Sequence, residues 1–119
     1  MNYVLSFELA GLPSTANSHK AHWAIAGAER KKWRLAAKMR TFMQRPPTPL
    51  EKCKITCTRF SSSEPDFDNL TQSFKSVIDG LKDAGIIKDD KASVVVKREY
   101  LWEKCGRGQG KIKVMVEAV

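Results

Sequence analysis

Residues 3 to 9, Tyr-Val-Leu-Ser-Phe-Glu-Leu, alternate apolar and polar side chains in part and favour extended backbone, and Gly11 to Pro13 end the run. This predicts a first strand followed by a polar loop to about Trp23. From Ile25 to Gln44 the period changes. Ile25, Trp33, Ala36, Ala37, Met39, Phe42 and Met43 recur at roughly helical spacing, with Arg and Lys between them. Pro46, Pro47 and Pro49 prevent that first helix from continuing. Residues 51 to 60 return to a period of two, with Cys53, Ile55 and Cys57 on one face and Lys52, Lys54 and Thr56 on the other, as a second strand requires.

Ser61 to Pro65 reads as a loop, and Asp68 as the N-cap of a second helix whose apolar stripe is Leu70, Phe74, Val77, Ile78 and Leu81. Ala84-Gly85 is its stop signal, and Gly80 inside it costs about 1 kcal/mol of helix propensity. Beyond Asp89-Asp90, Ser93 to Trp102 is rich in Val and aromatics, Gly106 to Gly110 is turn-like, and Lys111 to Val119 alternates again. The last two runs predict a hairpin. The order is β-α-β-α-β-β, one α+β domain over residues 1–119 with a small mixed sheet and two helices.

Composition adds limits. At 119 residues, 42% apolar and 29% charged, the chain suits one globular core. Three cysteines, an odd number, with no apolar signal segment, read as reduced thiols in a cytoplasmic protein, Cys53 and Cys57 in the core. No apolar run approaches the 18 or so residues that span a bilayer. Charge changes the picture more, because 21 Lys plus Arg against 13 Asp plus Glu leaves +8, the balance of a protein that meets nucleic acid. All six aspartates fall between positions 66 and 90. There they outweigh three lysines for a net −3, while eighteen basic residues against seven glutamates leave +11 elsewhere.

That acidic island carries the candidate chemistry. Asp66-Phe67-Asp68-Asn69 precedes the second helix and Asp89-Asp90 follows it, so the pairs meet only if the chain after Gly85 folds back. Carboxylates about 5 Å apart repel by about 3 kcal/mol at an effective dielectric near 20, which a divalent cation relieves, and oxygen-only ligands favour Mg²⁺ or Mn²⁺. The plain alternative is that Asp68 only caps a helix while Asp89 and Asp90 form a solvated turn and Asp79 and Asp83 are surface charges. An EF-hand is excluded, since Leu70 and Thr71 stand where its loop needs an oxygen ligand and Gly.

Asp66-Phe-Asp68-Asn69-Leu70, then Asp79-Gly-Leu81, Ala84-Gly85 and Asp89-Asp90, resemble the signature of the RusA-type Holliday-junction resolvases, small dimeric endonucleases largely of phage and prophage origin. Leu12-Pro13-Ser14 with Asn17 is similar to that family's N-terminal Pro-Ser-Asn stretch, and the basic first helix and the glycine-containing final hairpin also fit. The resemblance implies a homodimeric, Mg²⁺-dependent nuclease, with Mn²⁺ a substitute, acting on four-way DNA junctions. Its metal-binding carboxylates would be Asp66, Asp68 and Asp90, with Asp89 beside them. The family pattern places a catalytic lysine four residues after the second aspartate, where this chain has Gln72. Lys75 lies seven on, yet at the family's distance before Asp79, as though three residues had been added. On a straight helix, position +7 lies about −20° from Asp68 and position +4 about +40°, so Lys75 still faces the site from a turn further away. It is the expected cation near the scissile phosphate.

Arg30, Arg34 and Lys38 share one face of the first helix at four-residue spacing, and with Lys97 and Arg107 near the final strands they form the expected phosphate-binding surface. The plain alternative is an ordinary solvated face. His19 and His22 lack metal partners and read as loop residues. Phe67 reads first as a core residue and second as a wedge against an unstacked base. The competing function is a non-catalytic nucleic-acid-binding module whose acids are structural.

Overall fold

The computed structural model describes residues 2–14 and 23–119. Its elements are β1 (Val4–Ala10), α1 (Trp23–Thr41) with a 3₁₀ turn at Phe42–Gln44, β2 (Cys53–Ser61), α2 (Phe67–Ser73), α3 (Lys75–Asp83), β3 (Val95–Lys104) and β4 (Lys111–Ala118). The α+β class and the mixed four-stranded sheet agree with the sequence reading. The strand order is β1-β4-β2-β3, with β4 antiparallel to both its neighbours and β3 parallel to β2.

The predicted hairpin is therefore wrong. The residues 105–110 do turn, with Gln109 N–H bonded to the Gly106 carbonyl at 3.1 Å, but the connection passes the end of β2, where Cys105 N–H bonds the Ser61 carbonyl at 3.0 Å. Burial explains the order. Ile112, Val114 and Val116 of β4 are all fully buried, so β4 belongs in the middle with both edges paired. β3 carries Lys97, Arg98, Glu99, Glu103 and Lys104, and such a charged strand suits an exposed edge that must not recruit another chain.

One face of the sheet holds the core. Leu5 and Phe7 of β1, Ile55 and Cys57 of β2 and the apolar residues of β4 meet Phe74, Val77, Ile78 and Leu81 from the helical layer. Cys53 and Cys57 are buried free thiols, as expected, and burial pushes the Cys57 thiol up to about 12. Trp33 and Ala37 join this core from α1, which packs on α3.

Gly80 explains how closely α1 and α3 pack. A Cβ there would stand 2.4 Å from the Arg34 carbonyl oxygen and 2.7 Å from the Ala37 Cβ. The glycine that weakens the helix locally is what lets α1 lie against it.

The second predicted helix is two segments rather than one. It breaks at Phe74, whose φ of −98° and ψ of −3° lie in the bridge region, and its N–H bonds the Thr71 carbonyl at 3.2 Å in a tightened turn. Leu70, Phe74, Val77, Ile78 and Leu81 are all buried, so the break lets both segments turn their apolar sides to one sheet. Packing here overrides a straight helix.

Candidate active site

The chain after α3 does fold back. Gly85 adopts φ +80°, Gly85 N–H bonds the Lys82 carbonyl at 3.1 Å and Ile86 N–H the Leu81 carbonyl at 3.0 Å, a C-terminal cap that reverses direction. Buried Ile86 and Ile87 hold the return against the core. Leu50 N–H bonds the Ile86 carbonyl at 2.9 Å, and Lys88 N–H bonds the Leu50 carbonyl at 3.0 Å.

Asp89 shapes the next turn, because its Oδ1 accepts the Asp90 N–H at 2.7 Å and faces Lys82 Nζ at 3.3 Å. Asp90 is thereby aimed at the first residue of α3. Lys75 Nζ donates to Asp90 Oδ2 at 2.7 Å and to Asp79 Oδ1 at 2.9 Å. The Lys75 ammonium holds the Asp90 carboxyl well below the usual carboxylate range, at about 2, and the bonds to Asp90 and Asp79 raise the pKa of Lys75 in turn. The Arg98 guanidinium adds a second positive charge, donating to the Asp90 carbonyl.

Asp66 and Asp68 behave differently. Asp66, not Asp68, is the N-cap residue of α2. Its φ of −59° and ψ of 151° are extended, and its carbonyl accepts the Leu70 N–H at 2.9 Å, while no side chain caps the helix. Asp68 lies in the first turn, two residues further in than expected, because the helix already begins at Phe67. Both carboxylates are exposed, and neither meets a donor or cation among the described residues. The cap reading of Asp68 is thus overturned, and its charge has no structural partner there.

β3 relates the two groups of acids. Arg98 and Tyr100 share the covered face of that strand, two residues or about 7 Å apart. Arg98 touches Asp90. Tyr100 meets the Phe67 ring at a centroid distance of 6.4 Å and the Phe74 ring at 6.0 Å. Phe67 itself, expected in the core, is 63% exposed at the start of α2, because Phe74 fills the place below Tyr100.

All these acids offer carboxylate oxygens, the donor class of a hard divalent cation. Among the described residues no three or more His, Cys, Asp or Glu stand gathered as a metal site. Asp79 and Asp90 instead converge on the Lys75 ammonium.

Residues 12–117 match the family model described as Endodeoxyribonuclease RusA. The chain belongs to the RusA endodeoxyribonuclease family. No curated protein matches it individually.

Set against the RusA-type pattern, Gln72 is exposed on α2 and Lys75 opens α3, so the break at Phe74 lies between the two candidate positions for the lysine. The side chain that meets Asp90 is that of Lys75. The Pro-Ser stretch is anchored from two sides. The buried Arg59 guanidinium donates to the Pro13 carbonyl at 2.7 Å, while Ser14 gives both its N–H and its hydroxyl to the Glu29 carboxylate, each at 2.6 Å. Asn17, His19 and His22 lie outside the described residues.

The expected basic face is partly occupied. Arg34 forms a two-point ion pair with Asp83, at 2.5 and 2.9 Å, and Lys38 is half-buried on the same side of α1, toward α3. Arg30 and Arg107 are exposed. Lys97 faces the open side of the sheet, 3.7 Å from Glu99. The basic residue of β3 that reaches the acids is Arg98, the neighbour of the expected Lys97. Finding it required the register of β3, where the irregularity between Cys53 and Lys54 sets which of Lys97 and Arg98 faces the helices.

Proposed function

We propose that this RusA-family protein is a Mg²⁺-dependent, structure-selective endonuclease that cuts four-way DNA junctions in the cytoplasm, residues 1–119 forming one catalytic domain. The observation that carries this reading is the pair of exposed carboxylates at Asp66 and Asp68, without a partner among the described residues, in a chain of net charge +8 whose other acids include an Asp90 returned to Lys75. Charges left without a partner among so many cations suit a site whose counterion arrives with the reaction.

Asp66, Asp68 and Asp90 would hold Mg²⁺, with Mn²⁺ as a substitute and Asp89 fixing the Asp90 backbone. The bound ion supplies charge stabilisation and an acidified water for hydrolysis of a phosphodiester bond. Lys75 contributes its ammonium beside the phosphate, where negative charge develops as the bond breaks. Its pKa, raised by the two aspartates, keeps that ammonium protonated at neutral pH. Arg98 holds the Asp90 turn against β3. Arg30, Arg34, Lys38, Lys97 and Arg107 would contact phosphates without reading sequence. A homodimer would set one site on each of two strands, which suits paired cuts.

A second reading, a basic binding module that does not cut, is favoured by the absence of a gathered three-acid group among the described residues. Cleavage of a synthetic four-way junction beside a linear duplex, in Mg²⁺ and in EDTA, separates the two. Symmetric nicks in the junction alone, abolished by EDTA, support the nuclease. Tight junction binding without cutting in either Mg²⁺ or Mn²⁺ supports the module.

A further inference from the structure

Phe67 is a large apolar ring set between two acidic residues. It lies between two exposed carboxylates in the first turn of α2, and it is 63% exposed. Leaving apolar surface in water forgoes the stabilisation that burial would give, on the order of 25 cal/mol per Å². The ring is nevertheless not loose. It meets Tyr100 edge to face, with an interplanar angle of 88°, and Tyr100 leans on the fully buried Phe74 at an angle of 49°. Three rings thus run from the core to the surface, and the last keeps at least one face open.

We propose that Phe67 reads the branch in the DNA, its open face stacking on a nucleobase that has left its helical stack beside the acids. This rests on the junction-cutting function proposed above. Within a DNA substrate the group that matches an exposed aromatic ring is a base, because every base has a π face and carries no charge of its own. Continuous duplex shows proteins its base edges and its phosphates, while the π faces of its bases stay covered by their neighbours. At a branch point the stack is already interrupted, so the base is exposed at least cost. Selectivity for the branch follows.

The test uses the full chain in EDTA, so that binding is read without cutting. Four-way junctions carrying one abasic position at a time around the branch are titrated with wild type, Phe67→Ala and Phe67→Trp, and affinity is read by gel shift. Wild type should lose about tenfold in affinity at one abasic position. Phe67→Ala should bind the intact junction about tenfold more weakly and show no further loss at that position, and Phe67→Trp should restore the wild-type profile. An identical abasic profile for wild type and Phe67→Ala overturns the proposal alone. Wild type that binds the intact junction no better than linear duplex overturns the functional reading as well. Phe67 is mostly exposed, so thermal midpoints of the three proteins should coincide within a few degrees and folding does not confuse the result.

Discussion

At Gly80, α3 lies so close to α1 that a single methyl group would collide with the Arg34 carbonyl, and on the next turn Asp83 is clasped by the Arg34 guanidinium. At the start of α2, fourteen positions earlier, Asp66 and Asp68 have no partner among the described residues and Phe67 stands in solvent. Both regions belong to what the sequence presents as one helix. The first gives up side-chain volume to gain packing, and the second gives up packing to keep charge and an aromatic face available. Phe74, where the helix breaks, separates the two, and its buried ring anchors Tyr100 beneath the open region. Substitutions at Gly80 should therefore register in stability, and substitutions among the acids and Lys75 in activity.

The largest effect expected is that of Gly80→Ala. Something in the backbone of α1 or α3 must shift to admit the methyl group, and overpacking of this kind costs about 3 kcal/mol. The better helix propensity of Ala returns about 1 kcal/mol of that. The thermal midpoint should fall by about 10 °C, and a midpoint equal to wild type would show that α1 does not lie on α3 at this point.

The opposite pattern is expected for Lys75→Ala and Asp68→Asn. Loss of one charge that stabilises the reacting phosphate or its cation should slow junction cleavage on the order of 100-fold. In metal-free buffer the midpoint should barely move, because Asp68 caps nothing and Lys75 is 60% exposed. A large loss of stability with cleavage intact would reverse both assignments. Gln72→Ala is the companion measurement, since Gln72 occupies the family spacing for lysine but meets no acid among the described residues. Cleavage near wild type is expected, and a loss equal to that of Lys75→Ala would move the catalytic position back to residue 72.

The sequence displays this contrast unevenly. The periods of β1, α1 and β2 are local, each carried by side chains a few residues apart, and they appear where expected within three residues. The acidic island is local as well, so Asp66, Asp68 and Asp90 were nameable from spacing and resemblance. Strand order is not local. Residues 111–119 look like one arm of a hairpin until the buried trio Ile112, Val114 and Val116 is set against the charges of β3, and only the competition for the middle of the sheet decides it. The break at Phe74 is equally hidden, because an apolar stripe at helical spacing is continued across it. The exposure of Phe67 is hidden too, because it depends on Phe74 filling the core position beneath Tyr100.

The smallest effect tests the packed region electrostatically. Arg34 and Asp83 are joined by two hydrogen bonds, yet their side chains are 50% and 30% exposed, so solvent screens most of the attraction. Arg34→Ala should lower the midpoint at pH 7 by no more than a few degrees. The hydrogen bond from Arg34 holds the Asp83 carboxyl below its ordinary value of 3.8, with Lys38 and Lys82 adding to the shift. A carboxylate whose pKa is lower in the folded chain stabilises it above the unfolded pKa, and that contribution is lost as pH falls through the folded one. The gap between wild type and Arg34→Ala should therefore be constant from pH 7 to about pH 5 and close as the pH drops below about 4. A gap that persists unchanged into acid would mean that Arg34 acts through its packed stem on α1 rather than through Asp83, and its guanidinium would then be released to contact DNA without loss of the helix pair.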